Sequence, residues 1–171
     1  MVNNQIYDMI FFVMPIAENL IGGYCFYRLS KPFMENKKGA FYAGAAYSLI
    51  MIMLYIIPLP LNAFVAYVIG AFAAFLVMCM MNRRNYEQKA FITVTFFSLH
   101  LFTFSMAEIL YDKLYSFAEK TDYMMTHPNM DFALYVGVCL FYLVLIFLFN
   151  AIGIWCILRN YEYKQADMSK K

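Results

Sequence analysis

Five long apolar stretches govern what this chain can fold into. They run from about Ile6 to Phe26, Ala40 to Ile57, Leu61 to Met81, Ala90 to Leu110 and Phe132 to Leu158. A helix needs about 20 mostly apolar residues to cross the hydrocarbon core of a bilayer, and each stretch is close to or beyond that length. The fifth is long enough to tilt or to extend past the bilayer. The runs are apolar on all sides, without the alternation of a barrel strand, and lipid requires each backbone amide to be satisfied within its own segment. Composition agrees. Apolar residues make up 64% and charged residues 14%, against about 45–50% and about 25% in soluble domains. The expected fold is all-α, a polytopic membrane helical bundle of about five transmembrane helices. It forms a single membrane-embedded domain over residues 1–171, multi-pass in the cell membrane, with the lipid bilayer as its first partner.

The basic residues orient this bundle. Arg28, Lys31, Lys37 and Lys38 lie in the first loop, Arg83, Arg84 and Lys89 in the third, and Arg159, Lys164, Lys170 and Lys171 in the tail. These are eleven of the thirteen basic residues, and they fall on alternate loops. Lys and Arg concentrate in cytoplasmic loops, so the N-terminus is expected outside and the C-terminus in the cytoplasm. The turn between the second and third spans, Ile57-Pro58-Leu59-Pro60, predicts a tight helical hairpin. Small residues repeat at i, i+4 on both arms, as Ala40, Gly44, Ser48 and as Ala66, Gly70, Ala74. Such stripes let helix backbones approach closely in lipid. Leu110, Leu114 and Phe117 carry helical spacing beyond the fourth span, and His127-Pro128-Asn129 reads as a turn.

Ionisable groups inside a span are costly and mark candidate sites. Glu18, with Asn19 beside it, lies in the middle of the first span, and His100 in the middle of the fourth. Counting inward at about 1.5 Å per residue puts Glu18 roughly 18 Å and His100 roughly 15 Å from the same face. The two are expected to approach each other as a polar network or ligand site. Glu108 and Asp112 follow toward the outer end of the fourth helix. The competing reading for Glu18 and His100 is a satisfied interhelical hydrogen bond with no ligand, and for Glu108 and Asp112 plain solvation. Asn62 and Asn150 read as packing contacts. Tyr24, Tyr27, Tyr86, Tyr161 and Tyr163 fall near the inner boundary and Tyr55, Tyr111 and Tyr115 near the outer, an aromatic belt.

Catalytic patterns are lacking. The seven glycines are scattered, with no phosphate-cradling loop, and no H-E-x-x-H occurs. Cys25, Cys79, Cys139 and Cys156 lie inside apolar runs at no metal-ligand spacing and read as small buried residues. A Cys/His dyad needs both groups at one face, yet His100 is at mid-membrane and His127 is expected outside. Met1 to Tyr7 carries no basic residue, so no cleavable signal peptide is expected. Neither catalytic residues, metal, cofactor nor nucleic-acid binding are expected.

The stretch Asn82-Arg83-Arg84-Asn85-Tyr86-Glu87-Gln88-Lys89, the run Phe91 to Ser98, and Met106-Ala107-Glu108-Ile109-Leu110-Tyr111-Asp112 resemble the membrane sensor region of bacterial sensor histidine kinases. These are the kinases with a GHKL-type ATPase domain, related in layout to the peptide-quorum-sensing kinases. Pro58 to Gly70 and Asn160-Tyr161-Glu162-Tyr163-Lys164 also resemble that group. The resemblance implies a two-component signal-transduction role, an extracellular peptide or small-molecule signal, and a homodimer. Such kinases carry a phosphoacceptor His on a dimerisation helix and an ATP-binding domain. This sequence has no His expected in the cytoplasm and no Asp-x-Gly-x-Gly pattern, so kinase activity is not carried over. The expectation is a truncated, non-enzymatic sensor module. The alternatives are a small-solute transport component and a structural membrane subunit.

Overall fold

A computed structural model describes residues 2–34, 37–57, 60–82, 85–120 and 128–168. Side chains are described over the same residues except 2–7, 115, 117–120, 128–132, 134 and 162–168. Five α-helices account for nearly all of it: α1 Val2–Ser30, α2 Lys37–Ile56, α3 Ala63–Met81, α4 Tyr86–Lys120 and α5 Pro128–Met168. All five are long and apolar enough to cross a membrane. No strand occurs among the described residues. The outward face is apolar, with Phe11, Phe72, Met80, Phe91 and Phe102 all exposed. Lipid removes the cost of leaving them there.

The helix ends follow local chemistry. At the end of α1 the Ser30 hydroxyl donates to the Phe26 carbonyl at 2.8 Å, and Pro32 lies within a short 3₁₀ turn, Lys31–Phe33. Proline has no amide to continue the helical ladder. Asn62 is the N-cap of α3, its side chain accepting from the Val65 amide at 2.8 Å. It is therefore a cap rather than the packing contact its composition suggested. Asn85, just before α4, has a φ of 58°, a left-handed conformation that Asn tolerates better than most residues. The helical spacing after Leu110 is realised, since α4 continues unbroken to Lys120. Pro128 and Asn129 are not in a turn; they open α5. Proline at a first helical position loses no hydrogen bond, which is why it starts a helix readily. Pro58, Leu59, Arg83, Arg84 and His127 lie outside the described residues.

The helices pack in ring order, α1 on α2, α2 on α3, α3 on α4, α4 on α5 and α5 on α1, with α1 also touching α4 across the middle. Helices α1 to α4 form one four-helix group. Helices α1, α4 and α5 form a second group that shares the α1–α4 seam. The stripe Ala40, Gly44, Ser48 does not face α3. It faces α1, where a Cβ on Gly23 would meet the Gly44 carbonyl oxygen at 2.5 Å and one on Gly44 would meet the Gly23 carbonyl oxygen at 2.5 Å. The Ser48 hydroxyl donates to the Asn19 carbonyl at 3.0 Å across the same seam. On α3 the small residues do face α2, but they receive its large ones, with Met51 and Tyr47 lying against Gly70. Small residues against small set the α1–α2 approach, and small against large set the α2–α3 approach.

Candidate functional site

The charged residues of the first loop mark one end of the bundle, and the α2–α3 turn marks the other. The mid-membrane polar groups lie between them, around Tyr67 of α3. Its hydroxyl donates to Glu18 Oε1 at 3.1 Å. Its ring meets the His100 ring edge-on, with centroids 5.2 Å apart. Glu18 and His100 therefore share a neighbour, but they do not form the direct hydrogen bond their depths suggested. The geometry gives the reason. The imidazole packs against α1 at Gly22, where a Cβ would lie 3.3 Å from His100 Cε1. That is one turn past Glu18, or about 6 Å along the axis.

His100 is 2% exposed, stacked on Phe96 at 5.4 Å and edge-on to Tyr47 at 6.0 Å. Neither ring nitrogen makes a hydrogen bond of ordinary geometry. The Asn150 amide of α5 is the polar group that faces it, and that amide's oxygen is also unbonded. Asn150 Nδ2 donates to Thr103 Oγ1 at 2.9 Å and to the Ile146 carbonyl at 2.9 Å. The Thr103 hydroxyl donates to the His100 carbonyl at 3.0 Å. Asn150 is thus the polar tie between α4 and α5, beyond the packing role assigned from sequence.

Above this layer, toward the α2–α3 turn, lies a cleft of about 210 Å³. Its polar lining is Glu18, Asn19, Tyr67 and Tyr55, and its apolar lining includes Met51, Leu61 and Phe104. Asn19 is 6% exposed. Glu108, exposed on α4, is within Coulombic reach of Glu18, as is Tyr142 of α5. Tyr142 meets Tyr111 edge-on at 5.5 Å. Asp112 is exposed one turn beyond Glu108, with no described contact to this group. Of the residues chosen from sequence, Glu18 and Asn19 share the cleft, His100 lies beneath it, Glu108 flanks it and Asp112 stands apart.

Below the cleft the centre is closed. Phe26, Tyr47 and Phe96 are all fully buried, with centroids 4.9 to 6.2 Å apart, and they join α1, α2 and α4. The described residues contain no group of three or more His, Cys, Asp or Glu side chains placed to hold a metal ion. The arrangement offers a carboxyl group, an amide and a phenol in an otherwise largely apolar cleft.

Sequence reasoning passed over Tyr67, Tyr142 and Thr103, and took Asn150 only as a packing contact. Asn150 carried the same signal as His100, a polar side chain deep in a span. Tyr67 carried none, because its type matches every other tyrosine near a membrane boundary. Comparison of the chain with family models, curated proteins and solved structures finds no match.

Proposed function

We propose that this chain is a membrane sensor module of the histidine-kinase type, which takes its signal in the Glu18 cleft and passes it to α5. The observation that carries this reading is the placement of the cleft. It lies at the end away from the basic loops, which the charge bias assigns to the outside, and it holds Glu18 and Asn19 among apolar walls. At about 210 Å³ it is smaller than the roughly 300–1,000 Å³ of a pocket for a whole drug-sized molecule. It suits one anchoring group, such as an amine or guanidinium on a peptide side chain or on a small molecule. Glu18 supplies the counter-charge, and the Tyr67 hydroxyl, now bonded to Glu18, is the group such a cation would displace.

Contacts run without a break from that point to α5. Tyr67 touches Glu18 and His100, and the α4 turn at His100 and Thr103 is tied to Asn150. Helix α5 then continues past the apolar run to Met168. Contiguity alone is not coupling, so the test measures coupling directly. In a cysteine-free background, a nitroxide on Asn160→Cys reports the far end of α5. Glu18→Gln and Tyr67→Phe are each expected to change its spectrum in vesicles. Unchanged spectra in both variants, with helix content retained, would remove the signalling reading. A transport role is disfavoured by the closed layer of Phe26, Tyr47 and Phe96, which packs the centre of the bundle below the cleft.

A further inference from the structure

A second cavity, of about 360 Å³, opens between α1 and α5 at the basic end of the bundle. It shares no residue with the Glu18 cleft. Its lining changes character along its length. Phe147 and Ala151 of α5 and Tyr24 of α1 form the apolar part, with Tyr24 stacked on Phe147 at 6.4 Å between centroids. Arg28 of α1 and Arg159 of α5 line the other end. The guanidinium of Arg159 lies over the Trp155 ring, 5.1 Å from its centroid. Both arginines are exposed, and neither has a carboxylate partner among the described residues. From Phe147 to Arg159 the trough follows α5 for about 18 Å.

We propose that this trough is a binding site for an anionic phospholipid, its phosphate held between Arg28 and Arg159 and an acyl chain lying along Tyr24, Phe147 and Ala151. Charge complementarity chooses the occupant. Two guanidiniums facing one cavity, with no carboxylate between them among the described residues, repel each other, and a phosphate between them relieves that repulsion while accepting paired hydrogen bonds from a planar fork. The apolar stretch chooses lipid over a soluble anion. A phospholipid is polar at one end and apolar along the rest, in the same order as the trough, whereas a free phosphate would leave the greater part of it empty. Basic pockets between membrane helices select anionic headgroups for this reason. The site ties α1 to α5, the two helices that carry the Glu18 cleft and the long terminal segment. It stands whether or not the sensor reading does.

Trp155 is the single tryptophan of the chain and lines this trough, so its fluorescence reports the lipid in and immediately beside it. The protein is reconstituted in phosphatidylcholine vesicles containing brominated phosphatidylglycerol or, at the same mole fraction, brominated phosphatidylcholine. Quenching is expected to show a preference of about thirtyfold for the anionic lipid, given two arginines near the surface. Arg28→Gln with Arg159→Gln should abolish the preference, and Arg28→Lys with Arg159→Lys should retain only part of it, because an ammonium keeps the charge but not the paired fork. Ala151→Phe, which fills the apolar part and keeps both charges, should also abolish it. Equal quenching by the two lipids in the native chain would overturn the proposal. So would a preference that survives the double glutamine variant or Ala151→Phe. Loss of the preference on adding inorganic phosphate, but not chloride of equal ionic strength, would assign the site to a free anion and likewise overturn it.

Discussion

Tyr67 shows how one side chain can serve two sites. Its hydroxyl meets a carboxylate in the cleft and its ring closes over a buried imidazole. Removing only the hydroxyl separates the two roles. Tyr67→Phe keeps the ring contact with His100 and deletes the bond to Glu18. Hydrogen bonds within membranes average about 0.6 kcal/mol in double-mutant cycles, with a maximum near 1.7. Tyr67→Phe is therefore expected to destabilise the bundle by about 0.6–1.7 kcal/mol in a reversible unfolding measurement in bicelles. Tyr67→Ala should cost more, because it also uncovers His100. Equal losses for the two variants would mean that the ring contributes nothing. The candidate site was partly legible at this scale. That Glu18 and His100 lie inside spans follows from counting residues, but the count placed them almost level, whereas His100 packs at Gly22, one turn deeper than Glu18. That Tyr67, among fifteen tyrosines, stands between them depends on how α3 is turned, and no count along α3 contains that.

Helix approach distances belong to the element scale, and glycines report them. Gly23 and Gly44 face each other backbone to backbone. A methyl group at either cannot be accommodated by a rotamer change, because the atom it meets is a carbonyl oxygen of the other helix. Overpacking of this kind costs about 1–3 kcal/mol. Gly137 in α5 is the contrast, with nothing within 4 Å of an added Cβ. There alanine should be neutral or stabilise by up to about 1 kcal/mol through helix propensity. Unfolding of Gly23→Ala and Gly137→Ala in the same bicelles checks the pair. A destabilised Gly137→Ala, or a Gly23→Ala as stable as the native chain, would contradict the α1–α2 seam described above. The stripe Ala40, Gly44, Ser48 was visible in the sequence as a close-packing surface. Its partner was not, since lipid-phase packing needs only some small surface opposite, and both α1 and α3 provide one.

At the scale of the whole molecule the orientation proposed from charge is the premise of the sensor reading. Ser116 lies in α4 beyond Asp112, toward the α2–α3 turn end. A cysteine introduced there, in an otherwise cysteine-free chain, should react with a membrane-impermeant maleimide added to intact cells. Reaction only after the cytoplasmic face is opened would invert the topology and place the Glu18 cleft on the inside. The two cavities make the same demand from opposite ends. On the proposed sensor reading, the acidic cleft faces the compartment that supplies the signal. The arginine trough must lie at the opposite leaflet, which in the proposed topology is cytoplasmic and rich in anionic lipid.

The number of spans and their approximate limits were determined by the sequence alone, as was the presence of Glu18 and His100 inside spans rather than in loops. Each follows from the length of an apolar run at a constant rise per residue, in a solvent that looks the same from every side of the helix. Neighbour order was decided only in three dimensions. So was the turning of Ala40, Gly44 and Ser48 toward α1, the tie from Asn150 to Thr103, and the meeting of Arg28 with Arg159 across one trough. A uniform hydrocarbon solvent gives a helix no preferred rotation about its axis. That choice is made by side-chain packing and hydrogen bonding between helices far apart in the chain.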